Sequence, residues 1–256
     1  CRRARWAFPG CRRTRGGGLA LVPAVPGFSG SYPPPGAGAC SGYLVRDGDT
    51  TIWMDCGNGS FVNLQRHVDP SDLTAVIITH EHPDHCVDLY GLHVLLRYGL
   101  GRAGVPVYAP EGADERLGVL VEWGDTFDWH GVADGATAAI DGLSVAFSRT
   151  DHPPPTFAVG LTDAAGRRLV YTSDTGPAWS VDAFAPGAHL VLSESSYIHA
   201  DRRSPIHLSA QQAGTAARAA GAGPPMPTHL WPPGHPGPPP GARPGASGAA
   251  GAFAAG

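Results

Sequence analysis

Apolar residues follow two spacings along the chain, and each predicts a different element. Gly42-Tyr43-Leu44-Val45 and Thr51-Ile52-Trp53-Met54 are short β-branched and aromatic runs that predict strands. The Gly57-Asn58-Gly59 turn then leads into a short amphipathic helix through Phe61, Leu64 and His67. Leu73-Thr74-Ala75-Val76-Ile77-Ile78 is apolar without clear alternation, the pattern of a strand buried on both faces. Asp84 to Tyr98 is predicted as one helix, with Val87, Tyr90, Val94 and Leu95 roughly along one side. Further strands are expected at 105–108, 143–147, 157–161, 168–171 and 190–192, and helices at 113–123 and 209–220. Ser209 would cap the last helix, with Gln212 completing a capping box. Many strands with interspersed helices predict an α/β chain of layered sheets covered by helices. No repeat of solenoid period is present.

The ends depart from this pattern. Residues 1–20 hold six of the 18 basic side chains among glycines and lack apolar periodicity, which predicts a disordered leader. Ten prolines and eight glycines fall between Ala222 and Gly256, and a disordered tail is expected at 232–256. One domain over 21–231 is left between them. Two segments inside it resist assignment. Leu19 to Pro26 is interrupted by Pro23 and Pro26, and Gly223-Pro224-Pro225-Met226-Pro227 lacks the donors that an interior strand needs.

Composition narrows the function classes. A chain of 256 residues with 42% hydrophobic content suits one substantial domain. Its formal net charge of −4 gives no basic field, so a nucleic-acid partner is not expected. The five cysteines are odd in number and form no Cys-x-x-Cys pair, which argues against a disulfide framework or a cysteine-rich zinc site and favours a cytoplasmic location. No apolar run reaches the ~18 residues of a membrane span, and Leu19 to Val22 is cut by Pro23 before it could form a signal-peptide core.

The chemistry concentrates in Thr79-His80-Glu81-His82-Pro83-Asp84-His85. His80 and His82 lie two apart, so in an extended segment they can project the same way and grip one ion. Asp84 and His85 follow at once, where a tight turn could aim them at a second. Imidazole with carboxylate suits zinc, iron or manganese better than calcium or magnesium. A histidine-rich surface loop is the bland alternative, and placement directly after a buried strand argues against it.

This segment resembles the His-x-His-x-Asp-His signature of metallo-β-lactamase-fold hydrolases, and the resemblance continues in order from about Gly27 to Trp231. It implies a four-layer αββα sandwich. Asp55 matches the early aspartate that supports the metal loop, His152 the next histidine ligand, Asp174 the bridging carboxylate and His229 the last ligand. The family then implies two divalent transition-metal ions, zinc first with manganese or iron as alternatives. One would be held by His80, His82 and His152 and the other by Asp84, His85 and His229, with Asp174 and a hydroxide between them.

Glu194, in Leu192-Ser193-Glu194-Ser195-Ser196, and His207, in Ile206-His207-Leu208-Ser209, resemble the Glu and His of the ribonuclease Z-like branch. There the His meets the substrate phosphate and helps protonate the leaving group, while the Glu orients it. Asp84, Glu194 and His207 are therefore the candidate catalytic residues. Gly27 to Pro33, Ser41 to Leu44, Leu64 to His67, His85 to Leu89, Ser173 to Gly176 and His207 to Ser209 are similar to segments of actinobacterial cyclic-nucleotide phosphodiesterases of this fold. That likeness implies a small phosphodiester substrate and a homodimer. A tRNA 3′-end processing endoribonuclease would share the metal site, but no basic Gly/Pro arm lies between His85 and His152. A degenerate, non-catalytic relative is the reading from another class, suggested by the interrupted ends. Arg66 and Arg97 are read as solvated helix faces. Trp123, Trp129 and Trp231 are read as core or interface residues before base-stacking ones.

Overall fold

The computed structural model describes residues 22–33, 38–198, 204–223 and 225–231. The expected leader and tail lie outside them. Strands β1 (Val22–Ser29), β2 (Ala39–Cys40), β3 (Gly42–Asp47), β4 (Thr50–Met54), β5 (Ala75–Ile77), β6 (Val105–Pro110) and β7 (Phe127–Val132) form one sheet, in the order β2-β1-β3-β4-β5-β6-β7. Strands β8 (Thr137–Ile140), β9 (Leu143–Arg149), β10 (Phe157–Thr162), β11 (Arg168–Tyr171), β12 (Leu190–Glu194) and β13 (Met226–Thr228) form the other, in the order β13-β12-β11-β10-β9-β8. The helices are α1 (Ser60–Leu64), α2 (Pro83–Cys86), α3 (Leu89–Val94), α4 (Ala113–Leu117), α5 (Val181–Phe184) and α6 (Ala210–Ala219).

The period-two rule of strands explains the layering. Leu44, Trp53 and Val76 face outward from the first sheet and pack with Leu64, Leu89, Leu92 and Leu117 of α1, α3 and α4. Their neighbours Tyr43, Val45, Ile52, Met54, Ala75 and Ile77 face the other way, against Val145, Phe147, Val159, Leu161, Tyr171 and Leu192 of the second sheet. Val170 and Val191 turn to the far side and meet Val181, Ala185 and Ala220 around α5 and α6. Three apolar interlayers separate four layers, αββα, as expected.

Several boundaries differ from the sequence pattern, each for a local reason. The helix expected from Asp84 to Tyr98 is split into α2, α3 and a π-helical turn at Leu95–Leu100. Asp88 N–H donates to Cys56 O at 2.7 Å instead of continuing the helix, and its Oδ2 accepts from Phe61 N at 2.8 Å. The helix expected at 113–123 ends at Leu117, because the chain folds back so that Trp123 Nε1 donates to Asp114 O at 3.0 Å. Strands β2 and β8 carry too little apolar alternation to be anticipated, and β7, where Phe127-Asp128-Trp129-His130 does alternate, was not anticipated either.

Both proline-interrupted segments contribute to strands: Val22 to Pro26 fall in β1, and Met226 and Pro227 in the last strand. In β1 the pairing with β3 shifts register between Ala24 and Gly27, so the break falls around Pro26. Met226–Thr228 form β13, which lies at the edge of its sheet and, among the described residues, pairs on one side only, with β12. Ser195 N–H donates to Thr228 O at 2.9 Å, so Thr228 turns its peptide groups toward β12. By alternation Pro227 turns its ring nitrogen to the open side, where a missing donor costs no ladder bond.

Among the described residues no helix is long and apolar enough to cross a membrane. The capping box at α6 is present: Ser209 Oγ accepts from Gln212 N at 3.2 Å, and Ser209 N donates to Gln212 Oε1 at 2.9 Å. Ser209→Ala should therefore lower stability by about 1 kcal/mol. In urea unfolding it should lower the midpoint and leave the slope unchanged.

Candidate metal centre

The candidate residues leave their strands at the same end of the sandwich. Asp55 follows β4, the 79–85 loop follows β5, His152 follows β9, Asp174 follows β11, Glu194 closes β12 and His229 follows β13. Carboxyl ends of strands are where α/β folds gather ligand-binding loops. His80, Asp84, His85, His152, Asp174 and His229 are buried, and His82 is half-buried.

Their donor atoms converge as two overlapping groups. In the first, His82 Nδ1 lies 3.0 Å from His80 Nε2 and 3.3 Å from His152 Nε2. Asp174 Oδ2 closes it at 3.9 Å from His80 and 3.8 Å from His152. In the second, His229 Nε2 and His85 Nε2 lie 3.2 and 3.5 Å from Asp84 Oδ2. Asp174 reaches this group as well, 3.3 Å from His85 and 3.2 Å from His229. It therefore stands between the two, where the resemblance puts a bridging carboxylate. A further grouping was not expected: Asp174, Glu194, His207 and His229 also bring one donor atom each within reach of a single ion.

His85 Nε2 and Asp174 Oδ1 are buried and face each other at 3.3 Å without a well-formed hydrogen bond, and groups left unsatisfied in this way cost about 1–3 kcal/mol each. A cation between them satisfies both. The donor set therefore fits divalent metal.

Protonation follows the same logic. Burial, with neighbouring imidazoles, lowers the pKa of His80, His82 and His152 and keeps them neutral. Burial pushes the other way on Asp84 and Asp174, but His85 and His229 outweigh it and hold Asp84 at about 2 and Asp174 well below the usual carboxylate range. Neutral imidazole and ionised carboxylate are the forms that bind metal. Burial would also lower His85 and His207, yet both are raised, His85 by Asp174 and Asp55 and His207 by Glu194, to about 9.

Behind the donors lies the fully buried Asp55. Its Oδ1 accepts from Thr79 N at 2.8 Å, and its Oδ2 accepts from Thr79 Oγ1 at 3.0 Å and Tyr171 O–H at 2.8 Å. His85 Nδ1 lies 2.7 Å from the same Oδ2. Asp55, Ser173 and His229 hold left-handed backbone, with φ of 55°, 53° and 54°. Such strain costs of order 1–3 kcal/mol per residue and gathers at functional sites.

His229 is firmly placed although it follows a proline-rich segment. Its Nδ1 lies 2.9 Å from Ser196 Oγ, and the next residue, Leu230, is tied to β1 by Leu230 N to Phe28 O and Gly30 N to Leu230 O at 3.0 and 2.9 Å. His152 Nδ1 donates to Ile206 O at 2.9 Å. Tyr171, Thr79, Ser196 and the Ile206 carbonyl were not foreseen in these roles. Only contacts distant in sequence reveal them. Arg66 and Arg97 are exposed, and Trp123 and Trp129 belong to the core beneath the helices. Trp231 instead lies beside His207, with ring centroids 5.9 Å apart.

Residues 50–230 match the family described as "Beta-lactamase superfamily domain". The chain belongs to this superfamily. The β-lactamase-superfamily chain is 35% identical over 220 residues to the uncharacterized protein Rv1339 of Mycobacterium tuberculosis, covering 81% of this chain and 80% of that one. The crystal structure of the metallo-beta-lactamase fold protein YhfI from Bacillus subtilis matches with a TM-score of 0.73 at 29% identity, over 82% of this chain and 86% of that one. Ribonuclease Z of Mycobacterium bovis is 28% identical over 223 residues, 74% of this chain and 79% of the other. The protein is thus a metallohydrolase of the beta-lactamase superfamily, related to ribonuclease Z, with clustered donors for divalent metal.

Asp55→Asn should weaken metal binding by about 10–100-fold, since it no longer takes the His85 N–H as a carboxylate does. Competition with a chromogenic chelator measures this. Tyr171→Phe, which removes one of the carboxylate's donors, should have a smaller effect in the same direction.

Proposed function

We propose that the chain hydrolyses a small phosphodiester, a cyclic nucleotide in the first instance, at a dinuclear metal centre. The observation that carries this reading is the Glu194–His207 pair at the edge of both donor groups. His207 lies 5.0 Å from the His152 ring and 5.5 Å from the His229 ring, centroid to centroid. Its Nδ1 hydrogen-bonds Glu194 Oε1. Glu194 is itself fully buried and fixed: Oε1 accepts from Ser196 Oγ at 2.8 Å, and Oε2 from Thr175 N at 2.6 Å.

His80, His82 and His152 would hold one divalent ion and Asp84, His85 and His229 another, with Asp174 in reach of both groups; bound there, metal would supply a nucleophile from water at neutral pH and offset charge on phosphoryl oxygens. The remaining roles belong to side chains. Glu194 engages His207 Nδ1 and fixes the ring, which leaves Nε2 to meet the phosphate and give its proton to the leaving alkoxide. General-acid help of this kind is worth about 10²–10⁴-fold. Asp55 and Ser196 keep His85 and His229 in place.

The small-substrate reading is supported by the chain between His85 and His152, which goes into α3, α4 and β6 to β9 and spares no segment for a basic arm. The net charge of −4 points the same way. Similarity to ribonuclease Z favours the second reading, tRNA 3′-end processing, on the same metal chemistry.

Metal content by elemental mass spectrometry and hydrolysis of a panel of cyclic nucleotides and tRNA precursors test the proposal together. About two transition-metal ions per chain with cyclic-nucleotide turnover is the expected result. Cleavage of tRNA precursors alone would replace it with the second reading, and a protein that takes up no metal would end both. His207→Ala should lower kcat for a cyclic nucleotide by about 10²–10⁴-fold while metal content stays at two. The loss should shrink with a p-nitrophenyl ester, whose leaving group needs no proton.

A further inference from the structure

Between β5 and α2 the chain runs from Ile78 to His82 without regular structure. The backbone is anchored at its start, where Ile78 N donates to Tyr108 O at 2.8 Å and Thr79 O accepts from Phe157 N at 3.1 Å. It is anchored again where His82 O accepts from His85 N at 2.9 Å. Glu81 lies between, flanked by the two imidazoles of the first donor group, and its own side chain points away from that group toward α4.

There it meets Arg116 in a two-pronged contact. Arg116 Nε donates to Glu81 Oε2 at 2.7 Å and Nη2 to Oε1 at 2.5 Å, while Nη2 also donates to Glu111 O at 2.8 Å. Paired parallel bonds of this kind fix orientation as well as distance. The helix carrying Arg116 is short but firmly seated. Tyr90 O–H donates to Leu117 O at 2.7 Å, Trp123 Nε1 to Asp114 O at 3.0 Å, and Ala113 and Leu117 are buried beneath it. Gly112, left-handed at φ 74°, opens α4, and a Cβ there would stand 2.8 Å from Arg116 Nη1. The helix start thus leaves room for the guanidinium.

We propose that Arg116 is a positioning residue for the metal centre: through Glu81 it fixes the loop between His80 and His82, and so the spacing of the imidazoles that share an ion with His152. The inference rests on the metal-centre reading above. A half-exposed pair, with side chains 49% and 14% accessible, adds little to global stability. Its effect falls instead on the geometry of a site whose affinity depends on ångström-scale placement. Lysine cannot replace the fork, because an ammonium is a single point charge.

The test measures metal ions per chain against graded chelator, beside the melting temperature of the metal-free protein, for wild type, Arg116→Ala, Arg116→Lys, Glu81→Ala and the double alanine variant. Arg116→Ala is expected to weaken retention of one of the two ions by about tenfold, with the metal-free melting temperature unchanged. Arg116→Lys should recover only part of the loss. The double variant should lose no more than either single one, since both act through one contact. Unchanged retention in Arg116→Ala overturns the proposal, as do additive losses in the double variant or a matching fall in metal-free melting temperature. A wild type that binds no metal overturns the metallohydrolase reading and this inference together, whereas wild-type binding of two ions with an indifferent Arg116 overturns this inference alone.

Discussion

The site depends on a carboxylate that need touch no metal. Asp55 sits at the end of β4 with no solvent contact, and an unpaired charge there would be costly. Thr79, Tyr171 and His85 all hydrogen-bond to it, so its partners come from two distant parts of the chain. Thr79 and His85 belong to the segment that follows β5 of the first sheet, and Tyr171 to the second sheet, three residues before Asp174. One buried charge thus sets the metal loop and the bridging carboxylate in a common frame. Ser173 reinforces it by donating from its hydroxyl to Thr79 Oγ1 at 2.7 Å.

The positive charge of two ions would be matched within the site itself. Asp84 and Asp174 are held ionised by the imidazoles around them, and Glu194 lies just beyond with Ser196, Thr175 and His207 as partners. Burial that would be unfavourable for any one of these groups becomes tolerable because acids and bases alternate through the cluster.

How much of this was legible in the sequence varied with the range of the interaction. The two central strands, the layered class and the donors His80, His82, Asp84 and His85 follow from local spacing. Asp55, His152, Asp174, His229, Glu194 and His207 came from family resemblance, because nothing within a few residues distinguishes them from ordinary turn residues. Their mutual distances became visible only when both sheets stood side by side. The continuous helix expected from Asp84 failed because Asp88 gives its N–H to Cys56, some thirty positions away, and no helical periodicity encodes that. The prolines near Met226 misled for a related reason. They speak against a strand with two neighbours, and Pro227 lies in a strand that has one among the described residues. Tyr171 read only as part of a buried strand, although its hydroxyl is the link from the second sheet to Asp55.

The outer flank of β13 has a consequence for behaviour in crowded solution. An unpaired strand margin is a template on which another chain can add, and the partly exposed Met226 would make such an addition stickier. Pro227 directs a nitrogen without hydrogen toward that margin, so an incoming strand finds an acceptor missing its matching donor. Among the described residues, Pro227 alone puts a donor-free nitrogen on that margin, which disfavours the pairing of a second strand along it.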